Sequence, residues 1–118
     1  MSTLAFLKKK IAPAAVDAEV ARVVARIVTE VKPLAVYIFG SAARGELTDQ
    51  SDLDLLIILR EEIEIKPARK AIAKIRPFSA FPLDLIWMSE STFAHKAARG
   101  GLAQVIQEEG KLVYRTEG

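Results

Sequence analysis

The sequence predicts an α/β domain, a small β-sheet flanked by helices, from three observations: one long helical apolar stripe, four short apolar runs of strand length, and helix-forming segments between runs. The stripe comes first. Val16, Val20, Val23, Val24, Ile27, Val28 and Val31 recur at helical offsets, and Lys32-Pro33 ends them because proline has no N–H to give. Ala35-Val-Tyr-Ile-Phe39 is apolar, β-branched and aromatic and stops at Gly40, which predicts a buried strand. Leu53 to Leu59 and Phe81 to Trp87 share that character. Their apolar residues fall on successive positions, the pattern of strands covered on both faces.

Lys66 to Ile75 carries helix formers, with Ile72 and Ile75 three apart, and Arg76-Pro77 closes it. Ser89 or Ser91 can cap a helix running to about Arg99, and Leu102, Val105 and Ile106 mark a last short helix ending at Gly110. Lys111 to Arg115 then forms an edge strand. A further short helix is expected after Gly40-Ser41. The chain holds no internal repeat and no low-complexity linker, and 118 residues suit one domain spanning 1–118.

Apolar residues make up 51% and charged residues 27%, the balance of a chain that folds. Cysteine is absent, so a metal must be held by oxygen or by the single His95. Residues 1–10 run apolar first and basic second, the reverse of a secretory signal, and no apolar run approaches a membrane span; a cytoplasmic protein is expected. With 17 basic against 15 acidic residues, Lys8 to Lys10 is expected to be a solvated helix face, and direct binding of nucleic acid is not expected.

The chemistry lies between Phe39 and Leu55. Gly40-Ser41 sits where a strand ends and a helix can begin, a place where unpaired backbone N–H groups favour phosphate. Gly40 lets the backbone approach the anion, Ser41 adds a hydroxyl donor, and Arg44, one turn on, can reach the same anion. The same residues also describe an ordinary capped turn. Asp52 and Asp54 stand two apart at the start of a strand, on one face, their Cα atoms roughly 6.6 Å apart. Their repulsion costs energy unless a cation or solvent offsets it, and a magnesium pair would do so. Asp84, inside an otherwise apolar run with Leu83 and Leu85 on its other face, tips the balance from a surface turn to a metal site, the alternative being that it caps a neighbouring element or pairs with an arginine. A carboxylate in such a strand is costly unless it is paired or coordinates a metal. Three aspartates beside a phosphate-binding turn suit two-metal phosphoryl or nucleotidyl transfer.

Gly40-Ser41, ten residues, Asp52-Leu53-Asp54, and Asp84 on a later strand together resemble the nucleotidyltransferase superfamily of DNA polymerase beta. The likeness is to its minimal members, the MNT proteins, often encoded beside a HEPN partner as the antitoxin of a toxin–antitoxin pair. It implies a palm-like fold with a small mixed β-sheet flanked by helices. It also implies that Gly40 and Ser41 bind the triphosphate, with Arg44 as the basic residue after the turn. Asp52 and Asp54 would bind two Mg2+ ions, and Asp84 would bind the catalytic one and assist the incoming hydroxyl. Larger members carry a further domain for their acceptor.

Other candidates weigh less. His95, alone beside Phe93, Lys96 and Arg99, is expected to be a surface or packed residue, and Trp87 and Phe81 to be core. Glu61, Glu62 and Glu64 are expected to be a solvated connection bordering the site. The leading expectation is transfer of a nucleoside monophosphate, AMP from ATP, to a hydroxyl of a partner protein, with a HEPN-type toxin as that partner. One alternative is a binding module that neutralises its partner by covering it. Another is modification of a small molecule such as an aminoglycoside, with the acceptor pocket built by a homodimer. A homo- or hetero-oligomer fits each of these readings.

Overall fold

A computed structural model describes residues 9–116. Helix α1 (Pro13–Val31) starts with proline at its first position, where no N–H is required, and ends at Lys32 in the left-handed conformation (φ 48°), whose N–H closes on the Val28 carbonyl. Strands β1 (Ala35–Phe39) and β2 (Leu53–Leu59) occupy the expected residues. A 3-10 turn (Glu62–Glu64) leads into α2 (Ile65–Ile75), then come β3 (Leu83–Ser89), α3 (Glu90–Ala97), α4 (Leu102–Glu109) and β4 (Lys111–Arg115).

The sheet is four-stranded and mixed, in the order β3-β2-β1-β4. β1 runs antiparallel to both β2 and β4, while β2 and β3 are parallel and joined through α2, as a parallel pair must be by a crossover. Two apolar clusters sit on its two faces. Val16, Val20, Val23 and Ile27 of α1 and Ala68 and Ile72 of α2 pack on Val36, Ile38, Leu55 and Ile57. On the other face Phe93 and Ala97 of α3 and Ala103 and Ile106 of α4 pack on Leu34, Ala35, Leu56 and Ile58. This double cover is why β2 is apolar on successive residues.

Three expectations are corrected. The segment after Gly40-Ser41 is a closed turn and not a helix: Arg44 N–H reaches Gly40, Glu46 N–H reaches Ser41, and Gly45 at φ +71° stops the winding. The third strand begins two residues later than expected and runs to Ser89, whose hydroxyl then accepts from Thr92 N–H and caps α3, so Ser89 and not Ser91 is the cap. Lys8 lies outside the described residues. Lys9 and Lys10 do not form a helix face; Lys10 bridges Thr48, and Asp49 bonds both backbone groups of Lys9. α4 runs as expected up to Gly110, with Leu102 and Val105 47% and 46% exposed and Ala103 and Ile106 anchoring it.

Candidate functional site

The register of the sheet brings the sequence-predicted residues together. Phe39 lies opposite Asp54, and Asp54 lies opposite Asp84, so the end of β1 and two carboxylates form one row across three strands. Neighbouring strands are roughly 4.8 Å apart, which makes the two aspartates direct neighbours. Both follow the parity of Leu56 and Ile58 on β2 and Ile86 and Met88 on β3, on the face that α3 and α4 cover farther along. α3 begins at the opposite end of β3, after Ser89.

The loop before β2 is fixed by its own hydroxyls. Thr48 and Ser51 hydroxyls lie 2.9 Å apart, Thr48 N–H donates to Ser51 Oγ, and Ser51 N–H donates to the Thr48 carbonyl. Leu53 N–H then donates to the Pro82 carbonyl at 2.8 Å, tying the starts of β2 and β3 together. Asp52 is exposed just ahead of β2 and makes no hydrogen bond among the described residues.

Gly40 meets this row directly. At φ +71° it holds a conformation that side chains disfavour, and a Cβ placed there would collide with the Asp54 carboxylate. Beyond the expected approach to phosphate, the glycine has a packing reason to be there: it makes room for Asp54. In the turn that follows, the N–H groups of Ser41, Ala42 and Ala43 have no acceptor and the Ser41 hydroxyl has no partner among the described residues. A row of free donors beside carboxylates suits an anion that arrives with its own cation. Arg44 is exposed, pairs with Glu46 at 2.9 Å, and acts on Asp54 through its charge.

Electrostatics single out Asp54. Burial, then the charges of Asp84 and Asp52 and a hydrogen bond with Asp84, push its carboxyl up to about 6, opposed in part by Arg44. The expected anomaly thus sits one strand over. Asp84 is exposed on edge strand β3 and is not a carboxylate sunk in an apolar strand; Asp54 is the half-buried one. Leu83 and Leu85 do lie on the other face, against the α1–α2 cluster. Among the described residues no three acidic or histidine side chains are already gathered as a metal cage.

Glu61, Glu62 and Glu64 do not border the site. They follow the far end of β2, where Glu61 and Glu64 cap the 3-10 turn and Glu62 accepts from Thr92. His95 is exposed on α3, and Trp87 and Phe81 pack on the core as expected. One contributor was missed. Glu19 of α1 accepts from Ala80 N–H at 2.6 Å and from Ser79, while Arg22 pairs with Glu19 at 2.6 Å and donates to the Phe78 carbonyl. That clamp holds the loop leading into Asp84. Its signal in the sequence is an acidic residue on the flank of an apolar stripe, between Val16 and Val20.

Residues 20–113 match the model of the family described as nucleotidyltransferase domain. A crystal structure from Sulfolobus solfataricus, described provisionally as that of a nucleotidyltransferase, is similar in fold, with a TM-score of 0.59, 23% identity and 92% of each chain covered. No curated protein matches the chain.

Proposed function

The chain belongs to the nucleotidyltransferase domain family, and from that premise we propose that it transfers the nucleoside monophosphate of ATP to a hydroxyl of a partner protein, using Mg2+. The observation that carries this reading is the position of Asp54, flanked by its register partner Asp84 on one side and by Gly40 of the free-donor turn on the other. Carboxylates that repel one another are hard oxygen ligands suited to magnesium, so the residues present fit the ion. Asp52 and Asp54 would hold two ions and Asp84 one of them; when bound, they supply charge neutralisation at the phosphates and a lowered acceptor pKa.

The remaining work falls to the chain itself. Ser41 and the amides after it hold the triphosphate, Arg44 adds a cation, and Gly40 keeps that turn against Asp54. Asp84, exposed at the sheet edge, would take the proton of the acceptor hydroxyl as its oxygen bonds to the α-phosphorus and pyrophosphate leaves. The choice of a HEPN-type toxin as partner, and of the cytoplasm as location, extends the likeness to minimal family members. Among the described residues no helix is long and apolar enough to cross a membrane.

A second reading, neutralisation of the partner by complex formation without chemistry, is favoured by exposed apolar residues on α4 and β4: Leu102, Val105, Leu112 and Val113. Two measurements separate the readings. Calorimetry with ATP should show binding with magnesium and loss of it with chelator; equal affinity in both would sink the metal role. Transfer of label from α-labelled ATP to a co-expressed HEPN-type partner should occur with wild type and cease with Asp54→Asn. A wild type that silences its partner while labelling nothing leaves only the binding module.

A further inference from the structure

A sizeable cavity lies away from the carboxylates, on the outward side of α2. It is an open groove of about 640 Å³ lined by Glu62, Ile65, Lys66, Arg69, Lys70 and Ala73. α2 carries Lys66, Arg69, Lys70 and Lys74 and no acidic residue, in a chain whose net charge is only +2. All four cations are exposed, and none has an ion pair or hydrogen bond among the described residues. A helix face that is merely solvated usually mixes signs, because like charges four apart, as Lys66, Lys70 and Lys74 are, destabilise the helix. In the 3-10 turn just before α2 Ile63 is 83% exposed, and Ile65, which also packs on the core, forms part of the groove wall.

We infer that this face of α2, with Ile63, is a docking surface for an acidic amphipathic segment of a partner protein. Charge complementarity selects the partner's sign: the groove wall carries three cations, Lys66, Arg69 and Lys70, against one carboxylate, Glu62, which already accepts from Thr92 at 3.1 Å. The isoleucines select a protein. Nucleic acid would be held by cations and stacking aromatics, and no aromatic lines the groove. A membrane would need an apolar helix face to insert, and that face of α2 is already buried through Ala68 and Ile72. The inference stands apart from the transfer chemistry, since α2 packs on the sheet face opposite Asp54 and Asp84.

The experiment is fluorescence anisotropy with the full chain and three probes: a labelled helical peptide of glutamates and leucines, a single-stranded RNA, and anionic phosphatidylserine vesicles. The peptide should bind best. Its affinity should fall about tenfold with Lys66→Glu/Lys70→Glu and severalfold with Ile63→Ser, as loss of rim charge and of an apolar anchor do in protein interfaces. Melting curves confirm that these exposed substitutions leave the fold intact. Tighter binding of RNA or vesicles, insensitivity of peptide binding to either variant, or failure of the peptide to bind would each overturn the inference.

Discussion

Replacing Asp84 by Asn tests whether the site holds carboxylates together against their own repulsion. Asp54 carries an ordinary value of 3.8 and is pushed up to about 6 in the folded chain. That difference corresponds to about 3 kcal/mol between the two protonation states, which solvent around this half-buried group reduces to about 1–2 kcal/mol of stability. The sign follows from linkage. The folded value lies above the unfolded one, so the stabilisation is complete below about pH 4 and is lost as pH rises through about 6. Without metal the protein is therefore less stable at neutral pH than in mild acid as far as this group is concerned. Burial is the largest cause and Asn leaves it in place; the charge of Asp84 and its acidic hydrogen bond come out. Asp84→Asn should move the Asp54 midpoint below 6 without restoring 3.8, and raise metal-free stability at neutral pH by about 0.5–1 kcal/mol, or about 2–6 °C. Carboxyl-detected NMR titration in chelator, run beside melting curves from mild acid to neutral pH, measures both. An unmoved Asp54 midpoint, or a loss of about 3–5 kcal/mol as when a buried ion pair is broken, would refute the reasoning and make Asp84 structural.

Gly40→Ala should cost about 1–3 kcal/mol, from the positive φ and the contact with Asp54, and should also weaken ATP–magnesium binding; melting and calorimetry on one preparation show whether both fall together. Ser41→Ala should leave the melting temperature unchanged and weaken ATP binding by about 1.5–3 kcal/mol, the value of one hydrogen bond to a charged group. Glu19→Gln should lower stability by about 1–3 kcal/mol and slow transfer, because it loosens the loop before Asp84. Its hydrogen bonds from Arg22 hold the Glu19 carboxyl below its usual value despite burial, so wild type should lose this stabilisation as pH falls through that lowered value, and the Gln variant should lack that acid-side loss.

Local rules made much of the fold legible. The valine stripe of α1, the runs Ala35–Phe39 and Leu53–Leu59, and the edge strand after Gly110 each depend on near neighbours in the chain, so they emerged at their structural positions. Where a local rule had two solutions, packing chose. Ser89 and Ser91 are both capable caps, and pairing of β3 with β2 as far as Leu59–Ser89 selected Ser89. The turn after Gly40 has helix-forming residues, yet Gly45 at positive φ closes it after one winding.

The candidate site residues could be nominated from the sequence, because a glycine-serine turn and aspartates in apolar runs conflict with purely structural needs. Their electrostatic ranking could not. Asp84 looked like the costly carboxylate from its apolar neighbours alone, but its strand lies at the sheet edge and leaves it exposed, whereas Asp54 lies between two strands. Burial depends on which strand lies beside which. That depends on contacts between residues 39, 54 and 84, far apart in the chain, and no local pattern encodes such contacts; only the folded sheet sets the row in which Asp54 is held between Gly40 and Asp84.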